Sequence, residues 1–64
     1  MTDQPAASMG IDMGDGTNMA VAVMARGELV FCQSFDDYNR FNEAVQELQK
    51  QYQIPNNKIW YEND

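Results

Sequence analysis

Met9-Gly-Ile-Asp-Met-Gly-Asp-Gly-Thr-Asn-Met-Ala-Val-Ala-Val-Met24 reads as two strands joined by a glycine-rich turn. A first strand over Met9–Gly14 sends Met9, Ile11 and Met13 to one side and Gly10, Asp12 and Gly14 to the other, because strand side chains alternate. Asp15-Gly16 is a tight-turn signal, since both residues tolerate positive φ. The second strand, Asn18–Ala25, sets Met19, Val21 and Val23 against Ala20, Ala22 and Met24. It is apolar on both faces, as an interior strand is.

The same logic extends outward. Arg26-Gly27 turns the chain again and Glu28–Phe35 forms a third strand, with Leu29, Phe31 and Phe35 opposed to Val30 and Cys32. Links this short exclude crossovers, so the three strands form an antiparallel meander. The period then changes. Tyr38, Phe41, Val45, Leu48 and Tyr52 recur at spacings of three and four, one stripe of an amphipathic helix with Ala44 beside it. Asp36 or Ser34 is expected to cap its start, and Lys50 suits its last turn. Pro55 forbids further helix, Pro-Asn-Asn makes a loop, and Lys58–Glu62 reads as a fourth strand. The expected fold is α+β in the order β-β-β-α-β. Its sheet order is 3-2-1-4, with the fourth strand parallel to the first and the helix on one face. Residues 1–8 read as a flexible leader and residues 9–64 as a single small domain.

Composition narrows the chemistry. A chain of 64 residues lies near the lower limit for a core that folds without staples, and 44% apolar residues place it among globular chains. With no histidine, Ser-His and Cys-His catalysis and histidine-ligated metals are excluded. The lone Cys32 can form no internal disulfide, which fits a reducing cytoplasm, and its strand position suggests a small buried side chain. A net charge of −6 argues against direct contact with nucleic acid and fits a basic protein partner, including one that normally holds nucleic acid. No apolar run reaches the roughly 20 residues of a membrane span.

Gly10-Ile-Asp-Met-Gly14, followed by Ala20-Val-Ala-Val-Met24 and Gly27, resembles the first hairpin of the ribonuclease H-like superfamily. It is most similar to the phosphate-binding hairpin of actin-like and heat-shock chaperone ATPases, and also to the opening of resolvase and transposase nucleases. The resemblance implies that Asp12 stands for a metal-linked aspartate, that Gly14, Gly16 and Thr17 stand for a phosphate turn, and that Glu62 is the second acid on the fourth strand. It covers residues 9–64 in topology and only the first half of such enzymes. The later strands, remaining acids and adenosine site are missing, and no Lys or Arg lies near the turn. Two carboxylates suit at most one hydrated Mg²⁺, whereas in-line phosphoryl transfer generally uses two metals. The expectation is therefore no catalysis and no cofactor, with Asp12 and Glu62 holding Mg²⁺ as the alternative. Gly10, Gly14 and Gly16 serve turns and close packing.

One helix covers only one face of a four-stranded sheet, so the other, still apolar, needs a cover: a partner, a second copy in a homodimer, or the leader. The function expected is that of a small acidic interaction module, of the kind that phage or mobile elements use as anti-CRISPR or other counter-defence inhibitors. Asp15, Glu28, Asp36, Asp37, Glu43 and Glu47 would face a basic, nucleic-acid-binding partner. An inactive remnant of a longer enzyme is a further alternative.

Overall fold

A computed structural model describes residues 7–14 and 18–62. Strands β1 (Ala7–Asp12), β2 (Met19–Ala25) and β3 (Glu28–Phe35) precede helix α1 (Tyr38–Tyr52), a short 3-10 turn over Asn56–Lys58, and β4 (Ile59–Glu62). They make one mixed sheet in the order β3-β2-β1-β4. β1 pairs antiparallel with β2 and parallel with β4, and β2 pairs antiparallel with β3. The α+β architecture, strand order and strand directions are those the sequence predicts.

β1 starts two residues before the expected Met9, so Ala7 and Ser8 belong to the sheet and Ala7 is buried. The rest of the expected leader, residues 1–6, lies outside the described residues. β1 also ends two residues early. The Asp12 carboxylate accepts the Gly14 N–H at 3.0 Å, and Gly14 takes a positive φ of 56°, so the chain leaves the ladder there. One rung follows Asp12, from the Met13 N–H to the Glu62 carbonyl at 3.0 Å. Lys58, expected in the fourth strand, closes the 3-10 turn instead by donating its N–H to the Pro55 carbonyl.

The core lies between sheet and helix. Met9 and Ile11 of β1 and Met19, Val21 and Val23 of β2 are buried against Phe41 and Leu48 of α1 and Ile54 beyond it. Phe35 meets Phe41 edge-on with ring centroids 6.2 Å apart, a geometry that adds to area burial. Val45 and Tyr52 are half-buried as their stripe requires, whereas Tyr38 is exposed. The helix cap is Asp37 rather than Asp36 or Ser34. Its backbone is extended and its carboxylate accepts the Asn39 N–H at 3.0 Å, while Ser34 is still in β3. The other end closes on Gln53 in the left-handed region (φ 54°). The Ile54 N–H reaches back to the Gln49 carbonyl and the Gln53 N–H to the Lys50 carbonyl, the paired bonds of a Schellman motif. The Gln49 side chain then donates to the Ile54 carbonyl and to Asn56 Oδ1, both at 2.9 Å, fixing the exit toward β4.

Candidate functional site: the helix-free face of the sheet

Alternation sends Ser8, Gly10 and Asp12 of β1 away from the helix, together with Ala20, Ala22 and Met24 of β2. The register builds these into rows. Trp60, Gly10, Ala22 and Cys32 run across all four strands; Glu62, Asp12, Ala20 and Ser34 form the next row. On the other side of the Gly10 row lie Ser8, Met24 and Leu29. The face is thus graded along the strands, from large apolar side chains through a row of small ones to a carboxylate pair.

Leu29 reaches this face through an irregularity. Simple alternation puts Leu29 with Phe31 on the core side. The ladder instead shifts between Val23 and Met24, leaving Val30 as the extra residue and setting Leu29 opposite Met24, as a β-bulge does. Cys32, expected to be buried, is exposed, because among the described residues no layer packs over this side. The small residues leave a shallow trough of about 260 Å³ between Trp60, Cys32 and the acid pair. Leu29 and Trp60 are 59% and 55% exposed on this face. Tyr61 is also exposed, but on the helix side, where α1 packs mainly over β2 and β3 and of β4 only Ile59 packs against the core.

Asp12 and Glu62 are register partners on adjacent parallel strands, so their side chains share a face about one strand spacing, roughly 4.8 Å, apart. Asp12 spends one oxygen on the Gly14 amide. Among the described residues no third acid or thiol joins them. The pair supplies only part of the octahedral oxygen shell that Mg²⁺ demands.

The other singled-out acids lie elsewhere. Glu28 follows the β2–β3 turn, and Asp36 and Asp37 follow the far end of β3, roughly 25 Å of strand away. Glu43 and Glu47 stand one turn apart on the outer side of α1, interleaved with Arg40 and Lys50. Asp15, Gly16 and Thr17 lie outside the described residues. The described acids therefore gather only in the pairs Asp12/Glu62, Asp36/Asp37 and Glu43/Glu47. The Gly10–Ala22–Cys32 row is not among the expected site residues, although Gly10 and Ala22 stand equally far from Gly16 in the sequence, a spacing that sets them opposite each other in a hairpin.

The described residues make a small α+β fold, a helix on one side of a mixed sheet, and leave an acid-rimmed apolar face exposed on the other. No protein-family model matches the chain, and neither a curated protein nor a solved structure is significantly similar to it.

Proposed function

We propose that this protein is a cytoplasmic interaction module that acts by occupying a site on a larger, basic protein, in the manner of counter-defence inhibitors of the anti-CRISPR type. The observation that carries the proposal is the helix-free face, where Trp60 stands exposed in the row next to Asp12 and Glu62, with Met24 and Leu29 exposed in the row beyond. Exposed apolar area of this kind, rimmed by polar groups, marks interaction surfaces. Charge adds direction: a chain at −6 is steered toward cationic surfaces, and a nucleic-acid-binding protein presents one.

Cys32 is the only cysteine and is exposed on the face at its β3 edge, so it accepts a photo-crosslinker without further engineering. The expected product joins Cys32 to a larger basic protein, in a yield that falls as salt is raised. The control is Glu47→Cys in a Cys32→Ser background, which carries the crosslinker on the outer side of α1. A higher yield from that position would refute the proposal.

A second reading has one observation in its favour. The β-β-β-α-β order and the juxtaposed Asp12 and Glu62 are compatible with the first half of a ribonuclease H-like domain, reduced to a Mg²⁺-dependent nuclease or ATPase module or an inactive remnant. Mg²⁺ would sit between the two carboxylates. A Mg²⁺ titration followed by NMR decides it: shifts at Asp12 and Glu62 that Asp12→Asn abolishes support this reading, and unmoved resonances exclude it.

A further inference from the structure

We infer that the segment Pro55–Glu62 is a strap that opens from the edge of β1 as one unit while the meander and helix stay folded, with the Gln49 side chain as its latch. The inference is independent of the interaction reading above, because it concerns an equilibrium within the chain itself.

Burial marks where the strap begins. Ile54 is 3% exposed and belongs to the core. From Pro55 to Glu62 every side chain is exposed except that of half-buried Ile59. Opening the segment therefore takes one apolar side chain from the core, whereas lifting β3, the other outer strand, would take both Phe31 and Phe35. Segments with few buried apolar contacts open at lower free energy than the core they lie on.

Pairing points the same way. β4 is joined to β1 by four register pairs, against seven between β2 and β3. The four are parallel, and parallel pairs are slightly weaker per residue than antiparallel ones. β3 is in addition tied at both ends by short links, Arg26-Gly27 to β2 and Asp36-Asp37 to α1. Of the two outer strands, β4 is the one that lets go first.

Gln49 holds the root of the strap. Its side-chain amide donates to the Ile54 carbonyl and to Asn56 Oδ1, both at 2.9 Å. Inside the segment, Lys58 and Ile59 donate their N–H groups to the Pro55 and Asn56 carbonyls, so the 3-10 turn moves with the strand as one piece. Opening parts Glu62 from Asp12 and Trp60 from Gly10, and it bares the backbone edge of β1. The acid pair and the row across all four strands thus exist only in the closed form.

Native-state hydrogen exchange of the full chain, followed through sub-denaturing urea concentrations, tests the strap. The Met13 N–H is the reporter on the sheet side, because it donates to the Glu62 carbonyl at 3.0 Å; the Ile59 N–H reports from within the segment. The two should exchange with one shared urea dependence, shallower than that of the slowest β2 amides, and at least tenfold faster than those amides. Gln49→Ala should speed Met13 exchange by about five- to thirtyfold, the same factor by which it raises the global unfolding constant, since its two bonds are lost in both openings. A staple supplies the converse. In a Cys32→Ser background, Gly10→Cys with Trp60→Cys sets two thiols on register partners about 4.8 Å apart, a spacing that a disulfide accepts. At Gly10 an added Cβ meets nothing within 4 Å. The oxidised staple should slow Met13 exchange to the rate of the β2 amides, and reduction should restore the difference. Met13 exchanging with the rate and urea dependence of β2 in the parent would overturn the strap, and different urea dependences for Met13 and Ile59 would overturn its moving as a unit. Fast Met13 exchange in the oxidised staple would likewise refute it. A Gln49→Ala chain that is globally less stable but leaves Met13 exchange unmoved would remove Gln49 as the latch.

Discussion

Two turn residues show opposite uses of positive φ. Gly14 holds φ 56°, and a Cβ there would collide with the Asn18 carbonyl oxygen. Gly14→Ala should destabilise the protein by about 1–3 kcal/mol, read as an earlier urea midpoint. Arg26 holds φ 58° beside Gly27 at φ 78°, the pair of left-handed residues that a type I′ hairpin needs. Arginine has no particular tolerance for that region, so the site is open to improvement. Arg26→Asn should stabilise by about 0.5–1 kcal/mol, raising the thermal midpoint by a few degrees in a domain of this size. Both turns are marked in the sequence by glycine. The conformations of Arg26 and Gln53 are not, because there the flanking ladder and helix impose the backbone and local preference loses.

At the scale of elements, periodicity located the strands and the helix, and misjudged their ends. Asp36 and Asp37 are equivalent in composition, and only the path out of β3 decides that Asp37 has the extended backbone and the reach to Asn39. The bulge at Val30 was likewise invisible, since Leu29-Val30-Phe31 offers no glycine or proline to announce it, and twist within the folded sheet places it. The helix exit is a Schellman turn with Gln53 where glycine is favoured. Gln53→Gly should therefore stabilise the protein by about 0.4–1 kcal/mol and leave the α1 circular dichroism signal unchanged, the mirror image of Gly14→Ala. If Gln53→Gly lowers the thermal midpoint instead, the exit is held by contacts of the glutamine side chain and not by backbone geometry.

For the whole molecule, one layer of core supports everything. Met9, Met19, Val21 and Val23 are fully buried between sheet and helix, and no second core exists among the described residues to share the load. Met9→Ala should cost about 2–5 kcal/mol, a large part of the stability expected of a chain this short. Loss of a cooperative urea transition in Met9→Ala, with Gly10→Leu next to it behaving as the parent does, would show that the two faces of β1 have separate tasks. That division was legible in part. The alternation of Met9, Ile11, Val21 and Val23 identifies the core side directly. On the other side the expected parallel return of β4 already sets Asp12 and Glu62 on neighbouring strands, but the rows that join Trp60 to Cys32 depend on the exact register and on the bulge, which the sequence does not mark.

The extra residue at Val30 has a bearing on how the molecule lives among its own copies. β3 is the long outer strand of the sheet, and its outward amides and carbonyls are a template on which an incoming strand could crystallise. A neighbour matching the ladder over Phe31–Phe35 falls out of phase one residue later, and growth from that edge stalls. The interruption that brings Leu29 onto the apolar face thus also guards the seam through which a naked sheet would otherwise polymerise.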